Sequence, residues 1–330
     1  MPFGVAIAGL DHWYTAFGVC EITASSPDLS LVGISDGNAD RREWASTTYP
    51  DAVVADSIEP LLACDDVHLV CICAPTAAAP DIARRALAAG KHVVAVKPSA
   101  HTLADLDSVI DTAREAGRFF GSFEGMQRLH PKADTLRRLL ADGAIGVPLS
   151  FHQVGHGGLP SPWPGQPSGA PSWWLDPNAI KTGAWLDHAI YAIDLARYVF
   201  GGEVAEIAGH IGNRLHAELP LEDYGIALMR LDTATGPVSL LIEDTWAAEE
   251  GGGAHWLRIV GTRGFLRSEG NTWVVSRNGE DVVHPIEDSP FFPMENLAAG
   301  LVEGGSLPFG PEDARRNLDA CLRFYATASR

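Results

Sequence analysis

The first third of the chain alternates short apolar runs with stretches of helical spacing, and that rhythm restricts what the chain can become. Phe3-Gly4-Val5-Ala6-Ile7-Ala8, Leu29-Ser30-Leu31-Val32-Gly33-Ile34, Val67 to Cys73 and His92-Val93-Val94-Ala95 are near-continuously apolar rather than apolar on alternate residues. Such strands must be covered on both faces, and helices between successive strands do this in a parallel sheet. Helices are expected from about Thr15 to Ser25, from Ile82 to Ala89, and from Ala104 to Ala116. Gly90 stands where a helix C-terminus favours glycine. Phe119-Phe120-Gly121 starts the last strand, and the rhythm ends there.

After a helix at about Pro131 to Leu140, strands follow one another: about Pro148 to His156, Val204 to Gly212, Tyr224 to Leu231, Pro237 to Trp246, Trp256 to Val260 and Thr272 to Ser276. Turn signals such as Thr235-Gly236 and Glu269-Gly270-Asn271 separate several of them. That order gives a mainly antiparallel sheet, with helices near Trp185–Phe200 and from Pro311 onward. The fold class is therefore α/β followed by α+β, joined near residue 123. Residues Gly157 to Pro177, rich in Pro, Gly, Ser and Trp, form a long loop, and loops of that length in compact proteins are often functional.

Three hundred and thirty residues suit two domains. With 24 Lys and Arg against 42 Asp and Glu, the net charge is −18, which repels phosphate backbones and anionic lipid and argues against nucleic-acid or membrane partners. No apolar run reaches the length of a membrane span. The five cysteines include no CxxC pair, and Cys71 and Cys73 sit inside an apolar strand. With no signal-peptide pattern at the N-terminus, a reducing cytoplasm is the expected location.

Four segments carry residues suited to chemistry. The first strand runs into Gly9-Leu10-Asp11-His12-Trp13-Tyr14 and then a helix, the place where a dinucleotide diphosphate sits on free backbone N–H groups. Of the GxGxxG pattern only Gly9 survives, Asp11 and Tyr14 holding the other glycine positions, so a plain structural turn fits equally well. Asp36, directly after the second strand, is spaced for a carboxylate that accepts ribose hydroxyls, and an Asp-Gly turn residue is its alternative. No basic residue follows before Arg41, which favours NAD over NADP. Lys97-Pro98 ends the fourth strand, where open α/β sheets bind ligands; alone, it fits a solvated loop lysine equally. Asp187, Tyr191 and Asp194 fall at i, i+4 and i+7 and share one helix face, beside apolar Leu186, Ile190 and Ile193. A wet helix face with a capping Asp is the alternative there.

Taken in order, these pieces resemble the glucose-fructose oxidoreductase / inositol dehydrogenase / rhizopine-catabolism (Gfo/Idh/MocA) family. The resemblance runs along essentially the whole chain. It rests on Ala74-Pro75-Thr76 in the place of a TPNxxH turn, Ala89-Gly90-Lys91-His92-Val93 with Val96-Lys97-Pro98 in the place of aGkhVxxEKP, and Thr182-Gly183-Ala184-Trp185-Leu186-Asp187 with Tyr191 in the place of GGGxxxDxGxH. It implies a Rossmann dinucleotide-binding domain over residues 1–122 and, over 123–330, an α+β domain with an open-faced, mainly antiparallel sheet that binds substrate and dimerises.

The resemblance further implies an NAD(P)-dependent dehydrogenase or reductase of a sugar, cyclitol or related polyol. Gly9, Leu10, Asp11, His12, Trp13, Tyr14, Asp36, Ala74, Pro75, Thr76 and Lys97 would hold the cofactor. Lys97, Asp187 and Tyr191 would be catalytic, with the tyrosine as acid/base, its pKa lowered by a neighbouring lysine, and Asp187 orienting the pair. Val96 and Ala79 depart from the Glu and His of the family pattern. His156, Trp174 and His188 are expected to touch substrate. His152 and His156 share a strand face, but with His188 and Asp187 they match no metal-ligand spacing, so pocket histidines are expected rather than a metal site. Trp163, Trp173, Trp174 and Trp185 suit the apolar face of a sugar ring, and equally suit plain packing. Two alternatives stand beside the dehydrogenase: a non-catalytic dinucleotide-binding regulator, and an enzyme using bound NAD transiently. An open sheet face needs cover, so a homodimer or homotetramer through the second domain is expected.

Overall fold

The computed structural model describes residues 2–166, 172–249, 252–304 and 306–329. Residues 167–171 of the Gly157–Pro177 loop lie outside the described residues. The chain forms two compact units: Met1–Leu129 with Trp163–Ile180 and Pro290–Arg315, and His130–Pro162 with Lys181–Ser289 and Arg316–Arg330. The division therefore differs from a single join near residue 123, because the chain returns twice to the first unit. The returning segments carry the reason. Phe292, Met294, Leu297 and Phe309 are buried in one core with Val5, Ile7, Val19, Cys71 and Val94, and Trp163 packs against the same cluster.

In the first unit the strands are β1 (Phe3–Ala8), β2 (Leu29–Ser35), β3 (Val53–Ala55), β4 (Leu69–Ile72), β5 (His92–Ala95) and β6 (Phe120–Ser122). They pair in the order β3-β2-β1-β4-β5-β6, every pair parallel, as the expected Rossmann sheet requires. The strand order reverses between β1 and β4, and in open sheets of this kind the crevice beyond the carboxyl ends at that point receives the ligand. The helices carry ordinary end signals. Asn38 caps Ala39–Thr48 through the backbone N–H groups of Asp40 and Arg41, and Thr102 caps Leu103–Ala116 through that of Asp105. The helix Ala79–Ala88 ends before Gly90, which adopts φ +78°. Cys71 and Cys73 are fully buried in this sheet, and burial pushes both thiols far above their usual pKa, so they pack rather than react.

The second unit holds β7 (Pro148–His156), β8 (Gly202–Gly212), β9 (Tyr224–Thr233), β10 (Gly236–Thr245), β11 (Ala254–Gly261), β12 (Gly264–Glu269), β13 (Thr272–Arg277) and β14 (Glu280–Pro285). Their order is β14-β13-β12-β11-β7-β10-β9-β8, antiparallel except for the parallel pair β7 and β10. One face is core: Phe151, Ala227, Met229, Leu240, Ile242 and Ile259 are buried with Trp185, Leu186, Ile190 and Ile193 of the helix Ala184–Phe200. The other face is open, and Leu228 and Trp256 stand 57 % and 44 % exposed on it. The sheet is open-faced, as expected.

Candidate active site

In the first unit the candidate residues lie at the carboxyl edge of the parallel sheet. Gly9 follows β1 with φ +81°, and a Cβ there would lie 2.7 Å from the Cα of Ala74, so only glycine lets the ends of β1 and β4 approach this closely. The next residues turn directly into the helix Trp13–Ser25, whose first turn carries no acidic residue. The Leu10 side chain is buried, while its N–H donates to Asp36 Oδ2 at 2.7 Å. Asp36 Oδ1 accepts from the Asn38 N–H at 2.8 Å. The carboxylate spaced to meet a ribose is thus nearly buried and fixed by backbone donors on both oxygens.

Arg41, read from sequence only as the first basic residue after Asp36, is part of this cluster. Its guanidinium donates to Asp11 Oδ1 at 2.7 Å and approaches Asp36 Oδ2 at 3.5 Å, with the Trp163 ring 5.2 Å from its centre. Burial raises the Asp11 carboxyl pKa, and Arg41 opposes that shift. Trp163 also meets Phe17 and Trp44 edge-on, so packing, not sugar stacking, accounts for it.

His12 is buried, its backbone N–H donating to the Cys73 carbonyl at 2.9 Å and its Nδ1 lying 3.1 Å from the Tyr14 hydroxyl. Its ring meets Trp173 at 4.6 Å and Trp174 at 4.9 Å, edge to face. Trp13 packs on Phe17, and Tyr14 is exposed. Lys97 is buried at the end of β5, joined to Pro98 by a cis peptide, and its Nζ lies 4.5 Å from the centre of the Trp174 ring. That contact is a cation–π pair, which desolvation strengthens. The Trp173–Leu175 turn is tied down nearby, because Ala77 N–H donates to the Ala179 carbonyl at 3.2 Å.

The residues after β4 and in this turn fit a dinucleotide on a specific ground. Thr76 Oγ1 and the indole N–H groups of Trp173 and Trp174 are buried without a hydrogen-bond partner among the described residues, although buried polar atoms are rarely left so. Ribose, phosphate or carboxamide oxygens would satisfy all three.

In the second unit the candidate residues stand on the helix Ala184–Phe200. Its start is held by Glu222, whose Oε1 accepts from the Gly183 N–H at 2.9 Å and from the Tyr325 hydroxyl. A Cβ on Gly183 would collide with the Glu222 backbone oxygen, so this glycine is required where the chain enters the helix. One turn in, Asp187 Oδ2 accepts from Trp246 Nε1 at 3.1 Å. Tyr191 follows on the same face, half-buried against the core. Asp194 completes the stripe but is structural: it is buried and accepts from Asn317 Nδ2 at 2.7 Å. Trp185 is likewise core, stacked near Phe324 with its N–H on the Ile242 carbonyl.

His188, beside Asp187, places Nδ1 3.1 Å from Asp244 Oδ2, and its hydrogen-bond geometry is met to Oδ1 at 3.4 Å. Its ring lies 5.2 Å from that of His255. Sequence reading missed Asp244 and His255, because only strand register brings them together. His156 ends β7, in register with Thr245 and Ala254. Strand alternation sends His152 and His156 to the face of β7 opposite Phe151 and Gly155, where His152 stands across from Arg258. Among the described residues no group of His, Cys, Asp or Glu is arranged to hold a metal ion.

A parallel sheet in this strand order, with a tight glycine turn at the reversal and a carboxylate directly after β2, defines a dinucleotide-binding Rossmann fold. The chain belongs to the Gfo/Idh/MocA oxidoreductases: residues 3–123 match the oxidoreductase family with its NAD-binding Rossmann fold, and residues 133–267 match the GFO/IDH/MocA C-terminal domain. It is 28 % identical over 256 residues to an inositol 2-dehydrogenase of Acidothermus cellulolyticus, covering 76 % of this chain and 69 % of that protein. Its fold matches the aldose-aldose oxidoreductase of Caulobacter crescentus, solved with glycerol, with TM-score 0.83 at 19 % identity over 99 % of this chain and 98 % of that one. It also matches a levoglucosan dehydrogenase, solved with NADH and levoglucosan, with TM-score 0.78 at 19 % identity over 99 % and 98 %.

Proposed function

We propose that this protein transfers hydride between bound NAD and a hydroxyl-bearing carbon of a sugar, cyclitol or related polyol. The observation that carries the reading is the convergence of Gly9, Asp36, Thr76 and Lys97 on the carboxyl edge of one parallel sheet. When bound, the nicotinamide supplies the two-electron redox chemistry, and the chain's own residues supply position and charge. Lys97 donates to the substrate oxygen and stabilises the charge that develops on it. Tyr191 takes or returns the hydroxyl proton, and Asp187, fixed by Trp246, orients the substrate. Asp36 accepts the adenosine ribose hydroxyls, and a 2′-phosphate there would face Asp36 and Asp11 with Arg41 already engaged by both, so NAD is preferred over NADP.

The test is a titration with NADH and NADPH followed by tryptophan fluorescence, then oxidation of a polyol panel by wild type and by Lys97→Ala with Tyr191→Phe. Unchanged turnover in the double variant would refute the catalytic assignment.

The regulator reading draws on Asp11, a carboxylate where the fingerprint has glycine. NADH binding without turnover on any polyol would favour it. Nicotinamide absorbance carried through purification, with no net reduction, would favour transient redox use instead.

The open sheet face, with Leu228, Leu241, Val154 and Trp256 in neighbouring strands, supports a homodimer, and monomer alone on gel filtration would refute it. No helix among the described residues is long and apolar enough to cross a membrane, and a cytoplasmic location is proposed on the lack of a CxxC pair and on Cys71 and Cys73 being buried as packing residues.

A further inference from the structure

Three neighbouring strands of the second unit bring one residue each into a row on the core face. Asp244 of β10 and His255 of β11 both stand in register with Gly155 of β7. The position between them must be empty. A Cβ on Gly155 would lie 2.8 Å from Asp244 Oδ1 and 2.9 Å from its Cγ and Oδ2, so any larger residue would displace the carboxylate. Asp244 is 1 % exposed, and a carboxylate that deep is costly unless donors or a cation compensate it. It receives the backbone N–H of Thr245 at 2.9 Å and the imidazole of His188. His188 is half-buried and rests against the His255 ring, with Asp187 Oδ2 3.9 Å from the same Nδ1. Packing alone asks for none of this; an apolar residue in place of Asp244 would fill the row without a desolvation cost.

We propose that His188 contacts the substrate and that Asp244 is its positioning residue, the pair binding an uncharged hydroxyl beside the one handled by Asp187 and Tyr191. The proposal rests on the polyol reading above and names what that polyol must carry: at least two neighbouring hydroxyls, and no carboxylate or phosphate at that end. With Nδ1–H donated to Asp244, the tautomer of the ring is set and Nε2 becomes its acceptor. His255 is held neutral beside it, its pKa lowered first by burial and then by His188. A hydroxyl can donate to one imidazole and accept from another. An anionic group would instead come close to two carboxylates, Asp187 and Asp244, that share one imidazole nitrogen.

The experiment uses the whole chain with NAD⁺ and the probes myo-inositol, D-glucose, levoglucosan and D-glucuronate. Turnover is measured together with the ring nitrogen and carbon NMR resonances of His188 and His255, assigned by their loss in His188→Gln and His255→Gln. On any probe that wild type oxidises, His188→Gln raises KM about tenfold or more. Asp244→Asn raises it in the same direction and moves the His188 tautomer signal, while NADH affinity and melting temperature stay at the wild-type values. D-glucuronate is bound at least about tenfold more weakly than D-glucose. Wild-type KM and kcat in both variants, or equal binding of the acid and the neutral sugar, overturns the proposal and leaves the hydride-transfer reading standing. If no probe is oxidised, that reading fails first. A shift of the His188 resonances on adding a neutral probe then still supports the site, and no shift with any of them overturns it too.

Discussion

Replacing Asp36 by alanine separates a cofactor ligand from a turn residue, because the two roles leave different traces. The carboxylate accepts the buried Leu10 N–H at 2.7 Å and the more exposed Asn38 N–H at 2.8 Å, and it shares Arg41 with Asp11. Leaving the Leu10 N–H buried and unpaired costs about 1–3 kcal/mol, and the Asn38 N–H, which water can reach, adds little. For a protein of this size that lowers the melting temperature by a few degrees, at about 2–4 °C per kcal/mol. If the ribose hydroxyls also bond to this carboxylate, each such charge-assisted bond lost costs about 1.5–3 kcal/mol, or roughly 10- to 150-fold in NADH affinity. The NADPH side moves the other way. Removing one negative charge, and one of the two carboxylates that engage Arg41, eases entry of the 2′-phosphate. The NADH-to-NADPH affinity ratio therefore falls by at least about tenfold. Fluorescence titrations of both cofactors at one fixed low salt concentration, with a thermal melt of each protein, supply every quantity needed. A lower melting temperature with an unchanged affinity ratio would reduce Asp36 to a turn residue and refute the ribose assignment.

Lys97→Met keeps most of the stem on the Trp174 ring but removes the charge; kcat falls by about 10²- to 10⁴-fold, as steady-state kinetics at saturating NAD⁺ would show. Gly183→Ala forces a methyl against the Glu222 backbone and costs about 1–3 kcal/mol by overpacking, visible in denaturant unfolding. Asp223 accepts the backbone N–H groups of Arg214, Leu215 and His216 at 2.6, 2.8 and 2.7 Å, and these hold its pKa below the ordinary value against the opposing effect of burial. Its stabilisation is therefore fully present above the unfolded carboxyl pKa of about 3.9 and is lost as pH falls through the lower folded value. Asp223→Asn should accordingly lower the melting temperature most near neutrality, and its gap from wild type should narrow below about pH 4; a gap independent of pH would refute the account. Trp256→Glu with Leu228→Glu, both on the open sheet face, should convert a dimer to monomer on gel filtration without changing the fold by circular dichroism.

What the sequence determined by itself was local and periodic. Near-continuous apolar runs marked β1, β2, β4 and β5 within a residue or two, because a strand buried on both faces has no polar side to confuse the pattern. The change to successive strands marked the open-faced sheet, and the spacing of Gly9, Asp36 and Lys97 from strand ends placed them at one edge. The short strands β3, β12 and β14 and the helix Met294–Glu303 were not legible, being brief or flanked by charge.

Tertiary structure decided what depends on register and on long-range return. Asp36 and Arg41 are five residues apart, yet the pair with Asp11 forms only because a strand end and a helix start converge there. Trp174 reaches Lys97 because the segment around it folds back onto the first unit, although 77 residues separate the two in the chain. Asp194 belongs to a polar stripe by spacing, yet it is buried and accepts a hydrogen bond from Asn317, 123 residues away. Strand pairing sets Asp244 and His255 on either side of Gly155 and sends His156 to the opposite face. A one-residue slip would exchange those faces, and nothing in the composition of three separate strands fixes their mutual alignment. Periodicity reports which face of an element is buried; which residues of distant elements share that face is set by the pairing alone.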